Sequence, residues 1–119
     1  MDETVLIVDD EKHTREGLRA GLEDEFDVFV AADKAEATEI LKNEGVAVMV
    51  TDLRLGADDG MKVIDEALKM PKPPVCIMMT AYGSVDVAVE AMRRGAYHFV
   101  NKPVNLDELE LLIKRGLQS

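Results

Sequence analysis

The chain has 119 residues, enough for one domain with a buried core and too few for two. Its 47% hydrophobic and 32% charged residues are typical of a globular protein, not of a disordered chain. A formal charge of -10 argues against direct nucleic-acid binding, which depends on Lys and Arg. Every apolar run is much shorter than the roughly 20 residues of a membrane span, so a cytoplasmic location is expected.

Five short apolar runs alternate with segments of helical spacing along the chain. In order, the runs occupy residues 5–8, 28–30, 46–50, 75–79 and 97–100. Apart from His98 in the last run, polar residues do not interrupt them, and such runs are typical of strands that are buried on both faces. The segments between them repeat apolar residues every three or four positions, as in Met61, Ile64 and Leu68. The single Cys76 lies inside an apolar run and is interpreted as a core residue.

Helix boundaries are marked by polar and glycine residues. Asp33, Ser84 and Asn105 are predicted to cap the helices that follow them, and Gly45 and Gly95 lie where helices should end. Alternating strands and helices predict an α/β fold, a parallel sheet of about five strands with helices on both faces and right-handed crossovers. No linker divides residues 1–119, so the whole chain is expected to form one domain.

Five polar residues follow the predicted strands directly: Asp9 and Asp10 after the first, Asp52 after the third, Thr80 after the fourth and Lys102 after the fifth. The carboxyl ends of parallel strands meet at one edge, where open α/β sheets bind ligands. Three neighbouring carboxylates repel one another unless a cation compensates them, and oxygen ligands favour a hard ion such as Mg²⁺. Because an ammonium and a hydroxyl suit phosphoryl oxygens, the set indicates a phosphoryl-transfer site.

Taken singly, each of these residues has a simpler explanation. Asp9 or Asp10 could cap the following helix, Thr80 could bond to turn backbone, and Lys102 could be a solvated surface charge. Their convergence at one predicted edge favours the phosphoryl site.

In this order and spacing, the residues resemble the receiver domains of bacterial response regulators over almost the whole chain. The resemblance rests on the segments Val8-Asp9-Asp10-Glu11, Thr51-Asp52-Leu53-Arg54, Thr80-Ala81 and Lys102-Pro103. Segments 79–83 and 95–99 are most similar to receivers of nitrogen-regulation type, which belong to activators with an AAA+ ATPase domain and a DNA-binding domain. The resemblance implies a doubly wound, flavodoxin-like fold with strand order 2-1-3-4-5.

The resemblance also implies a role for each acidic residue. Asp52 would take a phosphoryl group from a phosphohistidine of a sensor histidine kinase. Asp10 and Asp52 would bind Mg²⁺ directly, Asp9 would assist through water, and the backbone carbonyl of Arg54 would complete the protein ligands. The domain would then be a switch, not an enzyme with an outside substrate, and would catalyse only its own phosphorylation and dephosphorylation.

The remaining implied roles concern the phosphoryl group and its readout. Thr80 and Lys102 would hold phosphoryl oxygens, Thr80 and Phe99 would form the switch, and Arg54 and Tyr82 would tune hydrolysis. The altered surface would comprise the fourth helix, fifth strand and fifth helix. It would act through a homodimer or on an output domain outside this chain.

One departure from the family pattern is visible beside Asp52. The family often has Pro where this chain has Gly56, and Gly frees the backbone that Pro would fix. Three alternatives remain: a flavodoxin-type FMN module, an aspartate-nucleophile phosphatase, and a receiver-like module that works without phosphorylation. The acidic pair would repel an FMN phosphate, and the chain lacks the Asp-x-Asp of the phosphatases. No residue of the phosphorylation set is missing, which disfavours the third alternative.

Overall fold

Five parallel strands and five helices alternate along residues 2–81 and 83–119, the part of the chain that the computed structural model describes. The strands are β1 (Thr4–Val8), β2 (Asp27–Ala31), β3 (Val46–Asp52), β4 (Val75–Thr80) and β5 (His98–Asn101). The helices are α1 (Lys12–Leu22), α2 (Lys34–Asn43), α3 (Gly60–Leu68), α4 (Val85–Arg93) and α5 (Leu106–Gln118). Outside this sheet, Arg54–Leu55 pairs with Asp58–Asp59 in a short antiparallel ladder that was not predicted.

The strands are arranged in the order β2-β1-β3-β4-β5, with every neighbouring pair parallel. This order confirms the predicted flavodoxin-like fold. The chain first adds β2 on one side of β1 and then places β3 on the other, so the strand order reverses beside β1. The crevice at such a reversal is where sheets of this class bind ligands.

Both faces of the sheet are covered, as the uninterrupted apolar runs predict. Val5 and Ile7 of β1 point into a core shared with α1 and α5, whereas Leu6 and Val8 point into a core shared with α2, α3 and α4. Cys76 is buried in the second core, and burial raises the pKa of its thiol to about 12, which confirms it as a core residue. No helix within the described residues is long and apolar enough to cross a membrane.

The predicted helix caps are confirmed. The side-chain oxygen of each cap accepts a hydrogen bond from the backbone N–H three residues later: Asp33 from Glu36 N at 2.9 Å, Ser84 from Val87 N at 3.2 Å and Asn105 from Glu108 N at 3.0 Å. Gly95 follows α4 with φ of 110°, the left-handed region that glycine adopts without strain.

The carboxyl end of α4 is attached to α3. Arg94 donates from Nη1 to Asp65 Oδ2 at 3.0 Å and from Nε to Glu90 Oε2 at 3.0 Å. A Cβ placed on Gly95 would lie 2.7 Å from Leu68 Cδ1, so the backbone here presses against α3. At the opposite end of α4, Val85 is 79% exposed.

Candidate functional site

The five predicted site residues lie at the carboxyl edge of the sheet. Asp9 and Asp10 follow β1, Asp52 and Thr80 end β3 and β4, and Lys102 follows β5. The parallel register aligns these ends through the pairs Val8 with Thr51, Asp52 with Met79 and Thr80 with Asn101. The predicted convergence is therefore present, because each of these residues lies at or just beyond the carboxyl end of its strand and neighbouring strands are in register.

Lys102 joins two of the carboxylates. Its Nζ lies 2.6 Å from Asp9 Oδ2 and 2.7 Å from Asp52 Oδ2. Asp9 is fully buried, and burial raises the pKa of its carboxyl although hydrogen bonds from Lys102 and Glu11 oppose the change. Burial alone would lower the pKa of Lys102, but its hydrogen bonds to Asp52 and Asp9 outweigh that effect and raise it. The ammonium is thus the protein's own counter-charge for the acidic cluster.

Asp9 is tied into the turn after β1. Its Oδ1 accepts a hydrogen bond from Glu11 N at 2.8 Å, and its backbone carbonyl accepts one from Arg15 Nη1 at 2.9 Å. The N-cap of α1 is Glu11, so Asp9 is not the capping residue that the simpler explanation considered. No sequence motif predicts the hydrogen bond of Arg15 to the Asp9 carbonyl, because it depends on how α1 packs beside the turn after β1.

Asp10 is exposed and contacts the loop that follows β3. Its Oδ2 accepts a hydrogen bond from Gly56 N at 3.0 Å, and Gly56 has φ of 63°. This contact joins residues 46 positions apart, and the departure from the family pattern at Gly56 does not by itself predict it.

The acidic cluster suits a divalent cation. Asp9, Asp10 and Asp52 each offer one carboxylate oxygen, and these atoms lie within 4.8 Å of one another. Neither His nor Cys belongs to this group, and an all-oxygen set fits Mg²⁺. The carbonyl of Arg54 was predicted as a further ligand, and the backbone N of Arg54 lies 3.4 Å from Asp52 Oδ1.

A groove opens onto these carboxylates from solvent. It encloses about 730 Å³, with His13 and Gly17 of α1 on one side and Pro103, Val104 and Leu106 on the other. Asp52 can therefore be reached from solvent between α1 and the start of α5.

The two predicted switch residues lie farther toward α4. Thr80 is fully buried, and its carbonyl accepts a hydrogen bond from Lys102 N at 3.0 Å. Phe99 is partly buried beside the loop that leads from Thr80 to α4, since a Cβ on Gly83 would lie 3.0 Å from Phe99 Cζ. Tyr82, predicted to tune hydrolysis, lies outside the described residues.

Two further contacts shape the loop after Asp52. Gly60 N donates to Leu53 O at 2.7 Å, and a Cβ on Gly60 would collide with the backbone carbonyl of Asp52. Asp58 Oδ2 accepts a hydrogen bond from Lys34 N at 3.1 Å, at the start of α2. The Gly-Ala-Asp-Asp-Gly composition signals a turn here, but it does not reveal these partners.

Comparison with known proteins agrees with this geometry. The response regulator receiver domain family matches residues 5–114. A putative response regulator NtrX-like protein of Rickettsia felis is 38% identical over 118 residues, covering 96% of this chain and 25% of that protein. This chain therefore spans about a quarter of that relative's length.

Two solved structures share the fold. The beryllofluoride-activated NtrC4 receiver domain dimer has a TM-score of 0.89 and 35% identity, with coverage of 97% of this chain and 96% of that one. NtrX from Brucella abortus in complex with ADP has a TM-score of 0.90 and 30% identity, with coverage of 99% and 27%. Because the family match spans nearly every strand and helix described above, this chain belongs to the response regulator receiver domain family, whose function is phosphorylation-dependent switching.

Proposed function

We propose that residues 1–119 form one receiver domain in which Asp52 accepts a phosphoryl group from a phosphohistidine on a sensor histidine kinase. The observation that carries this proposal is the Lys102 ammonium, which lies within hydrogen-bond distance of both Asp9 and Asp52. An ammonium that binds two carboxylates beside a solvent-open groove is also suited to bind a phosphoryl group, which carries more negative charge than a carboxylate.

Among the three acids, Asp52 is the best placed nucleophile. Asp9 is fully buried and both of its oxygens accept hydrogen bonds, from Glu11 N and Lys102 Nζ. Asp10 is held by Gly56 N. Asp52 lines the groove, and its Oδ1 accepts a long, weak hydrogen bond from Arg54 N at 3.4 Å, which leaves this oxygen able to attack.

In the proposed reaction, an Asp52 oxygen attacks the phosphorus of the phosphohistidine. A P–O bond forms, the P–N bond breaks, and its electron pair stays on the histidine nitrogen, which takes up a proton. Lys102 moves from a carboxylate pair to the phosphoryl oxygens, and the Thr80 hydroxyl donates to another of these oxygens. Later attack by water releases inorganic phosphate and restores Asp52, with Arg54 and Tyr82 as the residues that tune this step.

Asp10 and Asp52 would hold Mg²⁺ directly, with Asp9 assisting through water and the Arg54 carbonyl completing the protein ligands. The metal supplies positive charge that offsets the oxygens of the transferring group. The all-oxygen donor set and the spacing of its three carboxylates support this assignment.

The phosphoryl signal is proposed to leave through α4, β5 and α5. A phosphoryl oxygen gives the Thr80 hydroxyl a charge-assisted hydrogen bond that exists only in the modified state, and this difference shifts an existing equilibrium. Movement of Thr80 would free space for Phe99 to turn inward, since its ring borders the Thr80-to-α4 loop. Val85, Val89 and Met92 of α4 are exposed apolar residues on this surface.

The proposed partners are supported by the family and by the relatives. Homodimerisation is supported by the NtrC4 receiver, which is a dimer in its beryllofluoride-activated form. In this chain the proposed dimer surface comprises α4, β5 and α5. An AAA+ or DNA-binding output domain outside this chain is supported by the greater length of the Rickettsia felis relative and by the ADP complex of NtrX. A cytoplasmic location is part of the same proposal, because transmission to a DNA-binding output requires it.

Replacement of Asp52 by Asn tests the proposal, because an amide lacks the attacking oxygen. Wild-type protein treated with acetyl phosphate and Mg²⁺ should gain the mass of one phosphoryl group by intact-mass spectrometry, and Asp52→Asn should gain none. Asp58→Asn, which alters an acid of the neighbouring loop, is the matched control and should label normally. Full labelling of Asp52→Asn would show that another residue is the acceptor. Absence of labelling in the wild type would favour a module that works without phosphorylation.

A further inference from the structure

The loop between β3 and α3 contacts the acidic cluster through one backbone group. Gly56 N donates to Asp10 Oδ2 at 3.0 Å, and no side chain of the loop is needed for this bond. Asp10 is exposed and belongs to a cluster of three carboxylates whose like charges repel one another. Without a donor, the side chain would favour conformers that point away from Asp9 and Asp52 into solvent. The N–H therefore opposes that repulsion.

The contact depends on the residue type at position 56. Its φ of 63° lies in the left-handed region, which Pro cannot adopt because its ring fixes φ near −65°. Pro also lacks the N–H that Asp10 accepts. A chain with Pro here, as the family often has, cannot make this bond.

The loop is also fixed at its other end. Asp58 Oδ2 accepts a hydrogen bond from Lys34 N at 3.1 Å at the start of α2, and Gly60 N donates to Leu53 O at 2.7 Å. Gly56 is consequently presented to Asp10 from a loop anchored to two other parts of the molecule. Such an anchored donor can orient a metal ligand, whereas a donor on a loose loop would follow the side chain.

We propose that Gly56 is a positioning residue of the metal site, whose N–H holds the Asp10 carboxylate in the orientation that binds a divalent cation. The inference rests on the Mg²⁺ site proposed above. A carboxylate has two oxygens and about four lone-pair positions, so the bond at Oδ2 leaves Oδ1 available to the cation. The Asp10 side chain then contacts both the cation and Gly56 N, so binding of the cation changes the environment of the β3–α3 loop.

Two substitutions distinguish the effect of losing the N–H at position 56 from the effect of replacing glycine by another residue type. Gly56→Pro removes the N–H and excludes the observed φ. Gly56→Asn keeps the N–H, and Asn is among the residues that best tolerate positive φ. A Cβ on Gly56 meets no atom within 4 Å, so the Asn side chain has room.

Mg²⁺ alone is the probe, and calorimetric titration of the three proteins measures its affinity. Gly56→Pro should bind about tenfold more weakly than wild type, since loss of a group that orients a metal ligand commonly costs 10-fold or more. Gly56→Asn should bind within about threefold of wild type. In amide NMR, the Gly56 signal should shift with the same Mg²⁺ dependence as the calorimetric curve.

The outcomes of these measurements distinguish the positioning role of Gly56 from the existence of the Mg²⁺ site. Wild-type affinity in Gly56→Pro, or an equal loss in Gly56→Asn, would overturn the positioning role while leaving the metal site intact. Absence of Mg²⁺ binding in the wild type would instead overturn the proposed site itself. If Gly56→Pro does not fold, amide exchange decides: the Gly56 N–H must be protected in the wild type and lose that protection in Asp10→Ala, and equal exchange in both would refute the proposal.

Discussion

A single ammonium stabilises two carboxylates at the edge of the sheet. Lys102 Nζ is within 2.7 Å of Asp52 Oδ2 and closer still to Asp9 Oδ2. Asp9 is fully buried, so its charge is stabilised by Lys102 and by the Glu11 N–H. Removal of the cation would leave a buried carboxylate next to a second one, which is among the costlier defects in a protein interior.

We expect Lys102→Met to lower the free energy of unfolding by about 2 kcal/mol at neutral pH. This is less than the 3–5 kcal/mol for a fully buried pair, because the Lys102 side chain is 19% exposed. Urea unfolding measures the change. Lys114→Met is the control: Lys114 pairs with Glu25 at 3.0 Å, but both side chains are nearly half exposed, so its loss should cost less than about 1 kcal/mol.

The deficit of Lys102→Met should shrink as pH falls. Burial already raises the pKa of Asp9, and loss of Lys102 removes two effects that lower it, so the pKa rises further. A carboxyl whose pKa is raised on folding binds more protons in the folded state, and acid therefore favours folding through that group. A deficit that stays constant from pH 7 down to pH 4.5 would show that Asp9 does not carry the cost.

For single residues, the sequence predicts which side chains lie together at the edge of the sheet, but it does not predict the hydrogen bonds that they make. Each of the five site residues follows an apolar run, so their position at one edge of the sheet can be derived from strand direction alone. These residues are Asp9, Asp10, Asp52, Thr80 and Lys102. The contacts made by Arg15 and Gly56 could not be derived, because they depend on helix packing and on one positive φ angle. Their partners lie in other elements, and no residue spacing encodes them.

The turn between β3 and α3 brings two backbone segments into direct contact. Gly60 begins α3, and a Cβ there would collide with the carbonyl oxygen of Asp52. The colliding atom belongs to the backbone of a central strand and cannot rotate away. Glycine at this position therefore fixes how closely α3 approaches Asp52.

We expect Gly60→Ala to destabilise the protein by about 2–4 kcal/mol, because either β3 or α3 must shift. Gly17→Ala is the matched control in α1, since a Cβ on Gly17 meets no atom within 4 Å. That change should stabilise the protein by about 0.5–1 kcal/mol through helix propensity. Thermal unfolding measures both variants. Equal effects of the two substitutions would mean that the close approach at Gly60 relaxes without cost.

Switching is proposed to pass from Thr80 to α4, and removal of its hydroxyl tests this step. With beryllofluoride as a stand-in for the phosphoryl group on Asp52, wild-type amide signals should shift at Phe99 and through residues 84–94. Thr80→Val lacks the hydroxyl, so we expect shifts near Asp52 to persist and those in α4 to fall by more than half. Wild-type shifts confined to the metal site would contradict the proposed route.

The elements themselves were largely predictable. Four strands contain the whole of their predicted apolar run, and β5 begins one residue later than its run, at His98. The predicted N-caps precede their helices and accept the expected hydrogen bonds: Asp33, Ser84 and Asn105. The ladder between Arg54–Leu55 and Asp58–Asp59 was missed because two-residue strands show no periodicity. It forms where Gly56 reverses the chain with positive φ, a conformation that composition permits and does not dictate.

The molecule as a whole carries a formal charge of -10, and its acidic cluster concentrates part of that charge at one site. A divalent cation should therefore stabilise the folded chain by binding and also by general screening. The two effects differ, because screening requires only ionic strength whereas binding requires the ligand residues.

At a Mg²⁺ concentration ten times its dissociation constant, we expect a gain of about 1.4 kcal/mol in the free energy of unfolding of the wild type. NaCl of equal ionic strength should give a smaller gain, and Asp10→Ala should respond equally to both salts because it lacks a charged ligand. Urea unfolding in the two salts measures this. An identical response of the wild type to Mg²⁺ and NaCl would argue that the cluster binds no cation.

The attachment of α4 to α3 has a mechanical consequence. Arg94 and Gly95 fix the carboxyl end of α4 against Asp65 and Leu68 of α3, whereas the Val85 end is exposed. The nine residues of α4 form a lever about 13 Å long with its fulcrum at Arg94. A tilt of about 10° then sweeps the Val85 end through about 2 Å while the fulcrum scarcely moves. A partner that grips α4 near Val85 would sense that displacement in full, and one seated near Arg94 would sense almost none.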